Sequence, residues 1–169
     1  MKPPHQNKPN WPGSLLALMV LAALAAGPAR ASGGANCSVS ATPLAFGKYV
    51  PTSTSPADFT ATISVTCTTS GPTPAAIRGT IALAGGTGPS VRQLTDGVHR
   101  LRYQLYLDPT RSVLWGDGNG GSSTASLSGI VAPTTPFRQV LTVYGRILAR
   151  QSGAPVGLYA DQITAVLNY

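Results

Sequence analysis

From residue 37 to residue 169 the chain is patterned in twos. In FTATISVTC, Phe59, Ala61, Ile63, Val65 and Cys67 alternate with Thr60, Thr62, Ser64 and Thr66. Successive side chains of a strand point to opposite faces, so this segment predicts a strand with an apolar core face and a hydroxyl-bearing water face. Cys67 falls on the core face. The same reading predicts strands at CSVSA (37–41) and LAFGKY (44–49), an edge strand broken at Pro43, which has no N–H for a ladder. AIRGTIAL (76–83) sets Ile77, Gly79, Ile81 and Leu83 on one face. LRYQLYL (101–107) does the same with Leu101, Tyr103, Leu105 and Leu107. RQVLTVYGRIL (138–148) contributes Val140, Leu141, Val143 and Ile147, and shorter ladders are predicted near 92–94, 113–115 and 126–131. The chain closes on LYADQITAVLNY (158–169), where Tyr159, Asp161, Ile163, Ala165, Leu167 and Tyr169 share a face.

Turn-rich stretches separate these segments: PTSTSPAD, TTSGPTP, AGGTGPS, GDGNGGSS, APTTP and QSGAPVG. Glycine and proline punctuate the chain at the spacing of an all-β fold, and no window after residue 31 carries a helical period. The expectation is one all-β domain over 32–169, folded as a β-sandwich.

Residues 1–31 read differently. Lys2 and Lys8 precede an apolar run, LLALMVLAALAA, and then GPARAS with Ala29 and Ala31 at small-x-small spacing. This is the pattern of a secretory signal peptide, cleaved between Ala31 and Ser32. A membrane anchor is the rival, but a span needs about 20 apolar residues and this run is shorter. Cleavage removes Lys2, Lys8 and Arg30 and leaves nine basic side chains, Lys48 the only lysine among them, against five aspartates and no glutamate. The whole-chain charge of +7 therefore overstates the basicity of the exported part. Its arginines are scattered, so neither nucleic acid nor, for the mature form, a membrane is expected as a partner.

Two cysteines remain, Cys37 and Cys67. An even count in an exported chain favours a disulfide, which would stabilise the fold by about 3–4 kcal/mol. Metal ligation is the alternative. It lacks partners, since His99 is the sole histidine after the leader and no His or further Cys lies near either cysteine in sequence.

Candidate chemistry is sparse. A nucleophile–base arrangement would have to use His99, in a turn after TDG, and paired carboxylates could come only from Asp58, Asp96, Asp108, Asp117 and Asp161. Most of these neighbour Gly or Pro, where aspartate shapes turns. WGDGNGG (115–121) has the D-x-N spacing of a calcium loop but no acidic residue downstream, so a glycine-rich turn is the stronger reading. NCS (36–38) fits a glycosylation acceptor only formally, because its cysteine is expected to be bridged. No enzyme activity, cofactor or metal is expected. An exported, Thr- and Gly-rich β domain of this kind suits a building block or a binding module.

The order CSVSATPLAFGKY, ISVTC, LRYQLYLD, VLWGDG, VYGRI and GLYADQITAVLNY resembles the spore coat protein U domain family, over 37–169. That family includes subunits of archaic chaperone–usher pili. The resemblance implies an immunoglobulin-like β-sandwich lacking its final strand. The strand would come first from a periplasmic chaperone and then, after passage to an usher, from the arm of a neighbouring pilus subunit, by strand addition to a sheet edge. It further implies a donor-strand groove with Ile163, Leu167 and Tyr169 on one side and Val39, Leu44 and Phe46 on the other. An uncovered apolar edge invites aggregation, and 162–169 contains no charge to protect it. The resemblance implies passage through the periplasm to the cell surface or medium.

One departure stands out. Polymerising members carry an arm of alternating apolar residues before the first cysteine. Here only SGGAN (32–36) lies between the expected cleavage point and Cys37, at most about 17 Å of chain. The chain is therefore expected to accept a strand without donating one, which suits the tip of a fibre (fimbria). The alternative is a self-sufficient secreted module that binds carbohydrate or matrix polymer.

Overall fold

The computed structural model describes residues 34–46, 49–155 and 157–169. The signal peptide expected at 1–31 and its cleavage point between Ala31 and Ser32 lie outside them. The described residues form β1 (Ala35–Ala41), β2 (Ala57–Thr69), β3 (Ala75–Ala84), β4 (Gln93–Thr95), β5 (Arg100–Tyr106), β6 (Ala125–Val131), β7 (Phe137–Ile147) and β8 (Thr164–Asn168). They build two antiparallel sheets, ordered β1-β2-β7-β5-β4 and β6-β3-β8. The expected all-β sandwich is what the chain forms.

The alternation explains the packing. On β2, Ala61, Ile63, Val65 and Cys67 are buried while the intervening hydroxyl residues face out. Directly opposed residues of an antiparallel pair share a face. The register Ala61↔Val143, Ile63↔Leu141 and Phe59↔Gly145 therefore continues this core face onto β7. Val140 pairs with Ser64 on the outer face and is 65% exposed, since consecutive strand residues cannot both face inward. Ile81 of β3, Leu101 of β5 and Leu127 of β6 meet these residues in the core. Trp115 is fully buried, and its indole N–H donates to the Ile81 carbonyl at 2.9 Å. The ladder expected near 113–115 is reduced to bridges, Tyr106↔Leu114 and Trp115↔Ser123.

Cys37 and Cys67 stand opposite each other on β1 and β2 and are joined by a disulfide. No free cysteine remains, which removes the metal-ligand alternative for both sulfurs.

Two expected strands are different in kind. Leu44–Phe46 belongs to no strand. The ladder with β2 ends where the Thr42 N–H reaches the Thr62 carbonyl at 2.9 Å. Pro43 then offers no donor, and Leu44 and Phe46 turn toward the core. The predicted strand over 158–169 is likewise divided. Ala160 bridges Thr95 of β4, in the first sheet, and only Thr164–Asn168 pairs with β3, in the second. The chain changes sheets in mid-pattern.

Candidate functional site

β1 is an edge of the larger sheet and β8 an edge of the smaller one. Each shows one side without a described strand beside it. Between the segments that lead out of β1 and into β8 lies a groove of about 580 Å³. Residues 41–46 form one wall, and residues 157–163 with Ala165 form the other. Its floor is the core itself: Ala61 and Ile63 of β2, Leu83 of β3, Leu94 of β4, Leu105 of β5 and Val143 of β7.

Gly145 positions the first wall. A side chain there would meet Leu44 Cδ2 at 2.7 Å and Phe46 Cε1 at 3.1 Å, so its absence on the inner face of β7 lets both residues settle. The Phe46 ring then stands edge-on to Phe59 and to Tyr103, at 5.3 and 5.4 Å between centroids. Leu44 and Phe46 remain half-buried, as do Ile163 and Ala165 across the groove.

Leu44, Phe46 and Ile163, three of the six residues proposed from the resemblance, line the cavity. Val39 and Leu167 lie further along their strands, half-buried, opposite Val65 and Ile81. Tyr169 is 57% exposed, and its hydroxyl accepts the Cys37 N–H at 3.1 Å. That contact ties the end of β8 to the outer side of β1 and closes one end of the gap. Gly79 permits it, because a Cβ there would run into the Asn168 carbonyl and the Tyr169 backbone.

Sequence reasoning missed the polar feature of the groove. The Tyr103 hydroxyl donates to Asp161 Oδ2 at 2.7 Å, and the Gln162 N–H donates to Oδ1 at 2.8 Å. Burial and then the adjacent carboxylate push the Tyr103 pKa well up, so its hydroxyl keeps the proton it donates. Behind it, Arg92 is fully buried and donates to the carbonyls of Leu83, Trp115 and Gly85 at 3.0, 3.3 and 3.5 Å. Burial lowers its pKa, with Tyr103, Asp161 and Asp117 opposing that shift. A lone aspartate just before the charge-free stretch 162–169 was the available signal.

Of the other candidates, Asp96 and Asp117 serve their own loops and Asp58 joins β2 to β7. Asp117 Oδ1 accepts the Asn119 N–H at 3.0 Å. Asp96 Oδ1 accepts the N–H groups of Val98 and His99 at 2.9 and 2.6 Å, and its Oδ2 meets His99 Nδ1 at 2.9 Å. Asp58 is bound by both Nε and Nη2 of Arg146, at 2.7 and 2.8 Å. Among the described residues no group of three or more His, Cys, Asp or Glu is placed to hold a metal ion, and no helix is long and apolar enough to cross a membrane. Among the described residues, the groove lining contains no His, Cys, Lys or Arg. The groove is a trough of mixed apolar and polar lining beside the segments that lead out of β1 and into β8.

The family model of the Spore Coat Protein U domain matches residues 23–166. No curated protein matches the chain.

Proposed function

The chain belongs to the Spore Coat Protein U domain family, and on that premise we propose that it is an exported structural subunit of a pilus- or fimbria-like surface fibre, accepting a β-strand from another polypeptide. The observation that carries this reading is the groove between residues 41–46 and 157–165, with Leu44, Phe46, Ile163 and Ala165 left half-buried on its walls. A strand laid there would complete the burial of these side chains, while the open edge of β8 supplies main-chain hydrogen bonds. The donors are a periplasmic chaperone during export and, beyond the usher, a neighbouring subunit.

The position in the fibre follows from the other end of the chain. Residues Ala35–Ala41 are committed to β2. With cleavage after Ala31, three residues precede them, too few to fill another subunit's groove. The subunit thus accepts and does not donate, and belongs at the fibre tip. Labelled copies should appear at fibre ends in electron micrographs, and regular labelling along the shaft would contradict this.

The role is structural rather than catalytic, so His99→Ala should leave assembly unchanged. Co-expression tests the central step. With a strand-donating chaperone the chain should purify as a soluble one-to-one complex, and without one it should aggregate. A durable solitary monomer that forms no such complex would instead favour the self-sufficient binding module.

A further inference from the structure

The groove mixes apolar side chains with uncharged polar ones, Thr42, Thr62, Tyr103, Tyr159 and Gln162, and has one charged exception. Of its described lining residues, Asp161 alone carries a formal charge. Its carboxylate does not swing freely. The Tyr103 hydroxyl holds Oδ2 at 2.7 Å and the Gln162 N–H holds Oδ1 at 2.8 Å. Tyr103 is a floor residue, only 3% exposed, so the bond fixes one carboxylate oxygen at the border of the floor, while Asp161 as a residue stays exposed on the groove wall.

While the groove is open, water completes the hydration of this group. An inserted strand expels that water. A carboxylate offers roughly four acceptor sites, and Tyr103 and Gln162 fill two. Covering the rest without a partner is costly. Arg92, the buried cation nearby, attracts Asp161 at longer range but supplies no direct partner: its Nη1 and Nη2 are used on the carbonyls of Leu83, Trp115 and Gly85, its Nε meets no acceptor, and it forms no ion pair with Asp161.

Resting on strand acceptance by this groove, we propose that Asp161 determines which strand enters and in what register: the occupant carries a lysine or arginine that meets the Asp161 carboxylate among otherwise apolar inward side chains. Register matters because a slip of one residue turns every side chain to the other face. A slipped strand would lift its cation into solvent and press an apolar residue on the carboxylate. The lone charge thus converts a trough that would accept many apolar strands into one that selects a basic-apolar pattern.

The test uses synthetic strand peptides of alternating apolar residues, with a single lysine moved through successive positions. Each is matched by a peptide with norleucine, which keeps the methylene stem without the amine, and one with glutamate. Binding is measured on the oxidised full chain. At one position lysine should bind at least tenfold tighter than norleucine, and glutamate weakest. Asp161→Asn should abolish that preference and Asp161→Glu restore it. Tyr103→Phe, which frees the carboxylate but keeps its charge, should retain a preference for lysine. A merely structural role for Asp161 would alter all affinities together and leave the lysine-to-norleucine ratio unmoved, which would overturn the proposal. If apolar peptides bind and lysine is preferred nowhere, selection by Asp161 fails alone. If no peptide binds, strand acceptance fails with it.

Discussion

Cys37 and Cys67 face each other across β1 and β2, enclosing a sequence separation of 30 residues. In the chain-entropy model a loop of that size stabilises the fold by about 3.5 kcal/mol. The double variant Cys37→Ser/Cys67→Ser should lower the urea midpoint accordingly, and a reductant should move the wild type to the same place. Individual aspartates set the acid limit. Hydrogen bonds from the His99 ring and from the His99 and Val98 N–H groups lower the Asp96 pKa to about 2. Asp58 moves in the same direction, chiefly through its bond to Arg146. A carboxylate whose folded pKa is depressed contributes its stabilisation above the unfolded value, near 3.9, and loses it as pH falls through the folded one. Melting temperature should therefore fall between about pH 4 and pH 2, and Asp58→Asn should flatten part of that slope. The inward placement of Cys67 was legible because alternation assigns every residue of a strand to a face. The role of Asp161 was not. Its hydrogen bond joins positions 58 residues apart, and a period of two says nothing about such a meeting.

At the scale of elements, β2, β3, β5 and β7 were legible, since a long two-sided pattern admits one assignment of faces. The segments that build the groove were not. Residues 159–169 keep strand periodicity throughout, yet Ala160 pairs with β4 and Thr164–Asn168 with β3. Periodicity names a face and leaves the neighbour open. Leu44–Phe46 has strand-like composition, but a core cavity above Gly145 receives its side chains in place of a ladder. Gly145→Ala tests this wall. The added methyl would press on the end of the half-buried Leu44 side chain at 2.7 Å and displace it, at a cost toward the low end of overpacking, about 1 kcal/mol. Donor-strand affinity should fall while the far-side core around Trp115 keeps its near-ultraviolet signature. The open side of β8 has a signature of its own. Amides of Thr164–Asn168 that face away from β3 should exchange quickly in the free chain and become protected when a strand occupies the groove.

At the scale of the whole described fold, the two sheets bury one core, and the groove opens onto that core between the segments that lead out of β1 and into β8. On the strand-acceptance proposal, the exposed edge and the half-buried walls would make the free chain prone to association until a donor strand covers them. The most direct measurement is the thermal stability and sedimentation of the oxidised chain, alone and with a saturating apolar strand peptide. Strand acceptance requires that the free chain self-associate and melt low, and that the peptide render it monomeric, raise its melting temperature by several degrees and protect the β8 amides. A free chain that sediments as a monomer, melts high, already protects those amides and ignores the peptide would contradict it.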